Sequence, residues 1–333
     1  RKGPPGMRVL VTGATGFLGS HVAGQLAAAG HTVRVLLRPT SDRSFLAGFP
    51  WEEALGDVSD PTSLPAALDG VEAAVHAAGL VKARSAAQFY AVNAGGTRNL
   101  LDAVDRAAPR LHRFVLISSL AAHGPSEDGE PRPADASARP VTAYGRSKLA
   151  AEETLRCWPR ADRAVIIRPP VIYGPRDKQL LPFFRLARLR LAPLLAGGRH
   201  RVSCVYVEDA ARAVAEATTA EAPVGGRAYF IDDGSPYSWR DLLAAVEQAV
   251  GTRALALSTP RWAYSAAALA AELYGLVTRQ GVSLTREKVL EMSQPHWVCS
   301  HAALQRDLGW SPQVQLEEGA RLTAAWYRAH GWL

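Results

Sequence analysis

The sequence has little cysteine and no long apolar run. Cys157, Cys204 and Cys299 are the only cysteines among 333 residues, and none belongs to a CxxC pair. Three widely separated thiols exclude a disulfide framework and argue against a structural zinc site. No stretch reaches the roughly 18 uninterrupted apolar residues of a membrane span. We therefore expect a cytoplasmic protein without a bound metal.

Lysine is scarce as well, although the chain is basic. Lysine and arginine number 38 against 31 acidic residues, which gives a net charge of +7, and only five of the 38 are lysines. A lysine that chemistry requires therefore stands out. The modest basicity suits an anionic cofactor, but no zinc-finger spacing or aromatic-basic motif accompanies it, so we expect no nucleic-acid partner. Residues 1–6 precede Met7 without an apolar stretch, and we expect a cloning remnant rather than a signal peptide.

From Met7 onward, short β-branched runs alternate with alanine-rich stretches. Parallel strands need crossovers, so this alternation predicts a parallel sheet with helices on both faces. We expect a doubly wound α/β fold of the Rossmann type over residues 7–178 and 203–232, and a smaller, mostly helical substrate lobe over residues 179–202 and 233–333. The predicted strands are Arg8–Thr12, Thr32–Leu37, Glu52–Leu55, Ala73–His76, Arg113–Ser118 and Ala164–Arg168, and the predicted helices lie near Gly16–Ala29, Pro61–Leu68, Gln88–Ala107 and Ala143–Cys157.

A glycine-rich turn follows the first predicted strand. Residues 12–19 read TGATGFLG and lead into a helix, which is the order that a dinucleotide-binding fingerprint requires. Glycines let the backbone approach a pyrophosphate closely, and the helix N-terminus offers N–H groups and positive potential. A turn without a ligand is the alternative. The residues expected at the cofactor are Gly13, Thr15, Gly16, Phe17, Leu18 and Gly19.

The end of the second predicted strand bears on the choice of cofactor. An acidic residue there would hold the ribose 2′-hydroxyl of NAD, whereas an arginine accommodates the 2′-phosphate of NADP. The chain has Arg38 at this position, with Arg43 nearby and Asp42 only in the following loop. We predict NADP, with NAD as the alternative and a solvated surface role for Arg38 as the other interpretation.

Tyr144 and Lys148 are four residues apart on a predicted helix and therefore share one face. A phenol with a free pKa near 10 serves as an acid or base near neutrality only if its anion is stabilised. An ammonium group one turn away could do this and also hydrogen-bond a cofactor ribose. The alternative is an exposed amphipathic helix.

Two serines end the fifth predicted strand. The carboxyl ends of parallel strands line the ligand crevice, and a hydroxyl there can polarise a substrate carbonyl. Ser118 and Ser119 both fit this position, but either could equally cap a helix or order a loop.

With these motifs, the chain resembles an extended short-chain dehydrogenase/reductase over nearly its whole length from Met7. The resemblance implies that Tyr144 is the acid/base, that Lys148 supports it and the ribose, and that Ser119 anchors the carbonyl, because Ser119 precedes Gly124 by five residues as in the family. It also implies a homodimer through the helices near 88–107 and 143–157. Further matching segments are GDV at 56–58, HAAG at 76–79, NAGGT at 93–97 and RPPVIYGP at 168–175, which place Asp57, Val58, Ala77, Ala78, Pro170 and Val171 at the cofactor.

Two positions distinguish branches of this family. Sugar-nucleotide enzymes usually carry an Asn where this chain has Val171 and an Arg where it has Val202, although Arg199 and Arg201 leave the second point open. A diphosphate against an apolar wall would be costly. Residues 205–211 (VYVEDAA) and 308–312 (LGWSP) instead resemble the 3β-hydroxysteroid dehydrogenase and dihydroflavonol reductase branch.

Two apolar segments, Leu180–Leu195 and Pro260–Val277, could form a substrate pocket, contact a membrane or simply pack a helical lobe. We allow for membrane contact without predicting it. His123 could face the substrate or be a loop histidine without a role.

We expect an NADP(H)-dependent oxidoreductase that interconverts an apolar ketone and its secondary alcohol, such as a steroid, isoprenoid, flavonoid or β-keto acyl compound. The alternatives are a nucleotide-sugar 4-epimerase or dehydratase with tightly bound NAD(P), and a non-catalytic NADP(H) sensor.

Overall fold

Seven parallel strands form the central sheet of the computed structural model, which describes residues 6–278, 282 and 284–333. Residues 1–5 of the expected remnant lie outside the described residues. The order across the sheet is β10-β6-β5-β4-β1-β2-β3, which confirms the predicted doubly wound fold. Numbered along the whole chain, these strands are β1 (Arg8–Thr12), β2 (Thr32–Leu37), β3 (Glu52–Leu55), β4 (Ala73–His76), β5 (Arg113–Ile117), β6 (Ala164–Arg168) and β10 (Arg227–Phe230).

Alternate side chains of these strands enter two separate apolar layers. Val9 and Val11 of β1 are fully buried in one layer, and Leu10 is fully buried in the other. This alternation follows from the two-residue period of a strand and lets helices cover both faces. The first layer is completed by α1 (Phe17–Ala28) and α8 (Val207–Thr219), and the second by α2 (Leu64–Ala67), α4 (Gly96–Ala107) and α6 (Ala143–Arg156).

Two predicted helices differ from the structure. The segment expected to be helical near Pro61–Leu68 is a 3₁₀ turn at Pro61–Ser63 followed by the four-residue α2. The segment expected to be helical over Gln88–Ala107 begins earlier, as α3 (Ala86–Tyr90), and passes through a π turn at Ala91–Gly95 before α4. The wider turn places Asn93 inside, where its side chain bonds both the N–H and the carbonyl of Leu80. The hydrophobic pattern alone does not reveal a π turn, because the extra residue in the turn does not change the composition of the segment.

The second lobe contains small sheets as well as helices. β7 (Val171–Tyr173), β11 (Pro236–Ser238) and β13 (His296–Trp297) all pair with β9 (Arg201–Tyr206). A separate parallel pair joins β8 (Leu191–Leu195) to β12 (Leu255–Thr259). The remaining helices are α5 (Leu120–His123), α7 (Leu181–Arg188), α9 (Trp239–Val250), α10 (Arg261–Thr278), α11 (Arg286–Met292), α12 (Ala302–Leu308) and α13 (Leu316–Ala329). Among the described residues, no helix is both long enough and apolar enough to cross a bilayer.

Candidate active site

The glycine-rich turn lies against the loop that follows β4. Gly13 has a φ of 71°, and a Cβ there would lie 2.6 Å from backbone atoms of Ala77 and Ala78, so only glycine permits this contact. Helix α1 begins at Phe17 without a side-chain cap, which leaves first-turn N–H groups available to an anion. This cradle fits a dinucleotide pyrophosphate. Around it, Gly16 is exposed, Thr15 and Phe17 are half-buried, and Leu18 and Gly19 are buried.

Arg38 and Asp57 meet at the ends of two neighbouring strands. Arg38 directly follows β2, and its side chain is 66% exposed. Its guanidinium lies 4.0 Å from the carboxylate of Asp57, in the loop after β3. Beside them Val58 is buried, and its carbonyl accepts a 2.9 Å hydrogen bond from Asn99. The predicted ribose and adenine residues therefore lie together at the carboxyl edge of the sheet.

The two serines after β5 have different partners. The Ser118 hydroxyl donates over 2.5 Å to Glu152, whose buried carboxylate also pairs with Arg168 at 2.7 Å. The Ser119 side chain instead accepts the N–H of Ala121, which caps α5, and it lies close enough to Tyr144 to influence the pKa of its phenol. Ser118 thus belongs to a buried ionic cluster, whereas Ser119 faces the tyrosine. Ser119 therefore caps α5 and lies on the side of Tyr144, while its predicted role as carbonyl anchor remains a prediction.

Tyr144 lies in the first turn of α6 and is half-buried. Its ring packs on Phe89 of α3 with centroids 5.9 Å apart. Burial raises the pKa of Tyr144 to about 12, the nearby Ser119 side chain opposes this rise, and Glu291 adds to it. The net direction is opposite to the lowering that we expected from Lys148. In this structure the phenol is therefore protonated at neutral pH and is poised to donate a proton.

Lys148 is buried below Tyr144 on the same helix face. Its Nζ donates to the carbonyl of Ile117, the last residue of β5, over 2.8 Å. Burial lowers the pKa of Lys148 to about 8, and Glu152 opposes the change. A Cβ at Gly79 would lie 2.9 Å from Asn93 Oδ1 and 3.2 Å from Nζ, so the loop after β4 packs closely beside the ammonium.

A buried chain of polar groups connects the glycine-rich turn with the π turn. The Ala78 N–H donates to Thr12 Oγ1 over 3.1 Å, and this oxygen lies 2.8 Å from Nδ1 of His76. Nε2 of His76 lies 3.1 Å from Thr97 Oγ1, which donates to the carbonyl of Asn93 over 2.6 Å. Burial lowers the pKa of His76 to about 3, so the ring is neutral. The Thr97 hydroxyl already donates its proton to the carbonyl of Asn93, so it can only accept a hydrogen bond from the ring. Nε2 of His76 therefore carries the ring proton, and each donor in this series of polar groups has one acceptor.

Asn93 extends this chain to the helix that carries the tyrosine. Its Nδ2 donates to Ser147 Oγ over 2.9 Å, and the Ser147 hydroxyl donates to the carbonyl of Tyr144 over 2.7 Å. The sequence marked Asn93 only as part of a matching segment. Its contact with α6 depends on the π turn, which the sequence pattern does not reveal.

Helix α11 of the lobe covers the start of α6. Both carboxylate oxygens of Glu287 lie 3.1 Å from the N–H of Ala143, and Arg146 lies 3.3 Å from the same group. One turn later comes Glu291, which raises the pKa of Tyr144. Sequence reasoning missed both acids, because they carry no motif and lie more than a hundred residues from α6.

The positions that distinguish family branches are apolar in the structure. Val202 is buried in the core of the lobe, and Val171 is half-buried after Pro170 at the start of β7. His123 is buried against Phe230, and burial lowers its pKa to about 4. It therefore packs inside the protein rather than in a loop on the surface. Among the described residues, no group of three or more metal-ligating side chains is found.

The chain is similar to proteins of one known family. Residues 9–231 match the model of the NAD dependent epimerase/dehydratase family. The chain is 34% identical over 331 residues to a ceramide reductase of Caulobacter vibrioides, covering 98% of this chain and 96% of that protein. It is 32% identical to a 2-alkyl-3-oxoalkanoate reductase of Stenotrophomonas maltophilia, covering 95% and 98%.

Two further likenesses bear on the branch and the cofactor. A 3 beta-hydroxysteroid dehydrogenase/Delta 5-->4-isomerase of Mycobacterium tuberculosis is 29% identical, covering 74% of this chain and 70% of that protein. The NAD-bound dTDP-glucose 4,6-dehydratase of Streptomyces venezuelae superimposes with a TM-score of 0.79 at 25% identity, covering 98% of both chains. The chain therefore belongs to the NAD-dependent epimerase/dehydratase family of extended short-chain dehydrogenases/reductases and is a nicotinamide-dependent oxidoreductase.

Proposed function

We propose that this enzyme reduces a ketone on a long apolar substrate, of the 3-oxoacyl lipid type, to the secondary alcohol with NADPH. The observation that carries the proposal is the placement of the Ser119 hydroxyl beside a protonated Tyr144 at the carboxyl end of β5. Two hydroxyl groups at one point can bind one carbonyl oxygen. The names of the two relatives with near-complete coverage, a ceramide reductase and a 2-alkyl-3-oxoalkanoate reductase, support a ketone carried on alkyl chains.

The chemistry assigns one step to each side chain. Ser119 donates a hydrogen bond to the substrate carbonyl oxygen and polarises the carbon. A reduced nicotinamide, when bound, supplies the hydride that this carbon accepts. Tyr144 gives its proton to the resulting alkoxide oxygen, which completes the alcohol, and solvent returns a proton to the phenolate. The Lys148 ammonium stabilises that phenolate and holds the ribose.

The preference for NADPH is part of the proposal. Arg38 is exposed beside the adenine end of the cradle, where a 2′-phosphate would lie. Asp57, at 4.0 Å, offsets part of its charge, but it lies too far for a close hydrogen bond with it. A bound phosphate would therefore give Arg38 a stronger partner than the one it has. We retain the expectation of a cytoplasmic homodimer through α4 and α6.

The apolar surroundings argue against a diphosphate substrate. The position where sugar-nucleotide enzymes carry an arginine is the buried Val202. A charged diphosphate left without dedicated cations would lose its hydration without compensation.

Turnover of a mixed substrate panel tests the proposal. Pure enzyme is given NADPH or NADH with 3-oxoacyl lipids, steroid, isoprenoid and flavonoid ketones, and UDP- and dTDP-sugars. We expect NADPH oxidation with a 3-oxoacyl lipid and a product heavier by two hydrogens. Conversion of a nucleotide sugar at constant cofactor, with no ketone reduced, would contradict the proposal.

A further inference from the structure

Helix α10 exposes an apolar stripe to solvent. Trp262, Leu269 and Leu273 are spaced by seven and four residues, so they lie along one side of the helix. Their exposed fractions are 74%, 46% and 55%. A helix on a globular protein normally turns such a stripe toward the core. Here the buried contacts are made elsewhere on the helix, by Ala268 and by the Tyr264 hydroxyl, which donates to Pro193 over 2.7 Å.

The neighbouring strand pair exposes more leucines. Leu255 and Leu257 of β12 are exposed, as is Leu191 of β8, which pairs with Leu255. Because Pro193 pairs with Leu257 and also binds Tyr264, α10 lies beside this strand pair. Among the described residues, seven of the eleven exposed large hydrophobic side chains belong to α10, β8 and β12. All of these except Tyr274 form what we call the outer apolar surface: Leu191, Leu255, Leu257, Trp262, Leu269 and Leu273.

Arginines accompany the outer apolar surface. Arg190 immediately precedes Leu191, Arg253 stands two residues before Leu255, and Arg261 immediately precedes Trp262; all three arginines are exposed. In the described part of the chain, no ion pair joins any of them to a carboxylate. Glu247 lines a surface cavity with Arg190 and Arg253, but it uses one oxygen to accept the N–H of Ala254.

This combination fits an anionic bilayer. Aromatic and aliphatic side chains enter the boundary between headgroups and acyl chains, and arginines beside them bind lipid phosphates. A second copy of this chain fits less well. A two-fold interface places the same patch on both sides, so these arginines would face the arginines of the other copy.

A series of hydrogen bonds connects α10 to the candidate active site. Glu272 of α10 accepts hydrogen bonds from both the backbone and the side chain of Arg286, at the start of α11. The next residue, Glu287, binds the N–H of Ala143, directly before Tyr144. The carboxylates of Glu272 and Glu287 thus connect α10 to the helix that carries Tyr144.

We propose that the outer apolar surface docks the enzyme on the surface of an anionic membrane. Docking would let a lipid ketone pass to Tyr144 without crossing water; this second part rests on the proposed function, whereas docking itself does not. The absence of a spanning helix in the described residues agrees with reversible attachment.

Vesicle binding by the full chain tests docking independently of turnover. The protein is sedimented with phosphatidylcholine vesicles that contain or lack phosphatidylglycerol. We expect binding to the anionic vesicles that weakens with added salt, because the arginine contribution is screened. No binding to either vesicle would overturn the proposal.

Matched variants identify the surface responsible. Leu273→Ser should weaken binding about fivefold, and Leu269→Ser with Leu273→Ser on the order of thirtyfold, through lost apolar burial. Leu55→Ser removes a leucine with the same 55% exposure in β3 and should have no effect. Arg253→Gln with Arg261→Gln should weaken binding on the order of tenfold, whereas Arg306→Gln with Arg321→Gln, at exposed positions of α12 and α13, should not.

Two further readouts separate the alternatives. Light scattering reports whether the double variant Leu269→Ser with Leu273→Ser changes a dimer to a monomer. If it does, and the wild type does not bind vesicles, a second copy covers the outer apolar surface and the proposal is wrong. Turnover of a short, water-soluble ketone should be unchanged by these variants. Intact vesicle binding without any ketone reduction would instead refute the proposed function alone.

Discussion

Ser118 donates its hydroxyl to Glu152 in a buried ionic cluster, while the adjacent Ser119 lies beside Tyr144. Consecutive residues of an extended strand point to opposite faces, and this alternation separates the two roles. Ser119 lies on the side of Tyr144, where we propose that it binds the substrate. Ser118 helps to hold α6 on the sheet.

The two serines should therefore respond differently to alanine. Ser119→Ala should lower kcat about 100- to 1,000-fold by removing one donor to the developing alkoxide. Ser118→Ala should leave kcat near wild type but lower the free energy of unfolding by about 1–3 kcal/mol, since Glu152 loses a hydrogen bond in a buried place. Steady-state kinetics and urea unfolding on both variants provide the comparison. Equal effects on kcat would refute the division of roles.

Tyr144→Phe removes the proton donor without changing the packing against Phe89. Turnover should be abolished, and binding of NADPH, followed by its fluorescence, should stay close to wild type. Tyr90→Phe is the matched control, because Tyr90 is an exposed tyrosine in α3. Turnover by Tyr144→Phe near the wild-type rate would rule out the proposed mechanism.

Arg38→Gln should change cofactor choice. Losing a charge-assisted contact to the 2′-phosphate should raise the KM for NADPH about 10- to 100-fold and leave that for NADH unchanged. Arg43→Gln serves as the control for the loss of a nearby charge, because the Arg43 side chain pairs with Glu53 at 2.7 Å. An equal rise in both KM values would assign Arg38 a structural role instead.

The pH profile of reduction should reflect Lys148. Burial lowers its pKa to about 8, whereas Tyr144 stays protonated until about pH 12. The kcat/KM for ketone reduction should thus be flat near neutrality and fall above about pH 8, approaching tenfold per unit as the ammonium is lost. Lys148→Met should be almost inactive at every pH. A wild-type profile that stays flat to pH 10 would contradict this assignment.

His76 should make stability sensitive to acid. In the folded chain its ring stays neutral down to about pH 3, whereas in the unfolded chain it takes a proton near 6.5. The unfolded state binds more protons between these values, so stability falls as the pH falls through this window. At pH 5 this amounts to about 2 kcal/mol relative to pH 7. His76→Gln should lose that part of the pH dependence in urea unfolding, and an unchanged slope would show that His76 does not titrate as described.

Strand positions and motif residues were predictable because local patterns determine them. Five of the six predicted strands have the observed bounds, and the fifth strand ends one residue earlier, at Ile117. The glycine at 13 and the i, i+4 pair Tyr144 and Lys148 each depend on neighbours in the chain. Such features need no knowledge of tertiary contacts.

The remaining features depend on contacts between distant segments. Glu287 reaches Ala143 across 144 positions, and the π turn at Ala91–Gly95 is held by a side chain that bonds another loop. The pKa of Tyr144 is raised, opposite to expectation, because burial outweighs the effect expected of a nearby ammonium. The hydrophobic pattern of α10 also could not predict whether its apolar side packs on a core or faces solvent, since the same residues suit both arrangements.

Isotope transfer most directly tests the claim that the enzyme reduces a ketone. The enzyme is incubated with a 3-oxoacyl lipid and NADPH that carries deuterium at the transferable position of the nicotinamide. A ketone reductase yields a 3-hydroxy product with one deuterium on the carbinol carbon and consumes one cofactor per product. A product without deuterium, or a changed nucleotide sugar with no net loss of NADPH, would contradict the proposed function.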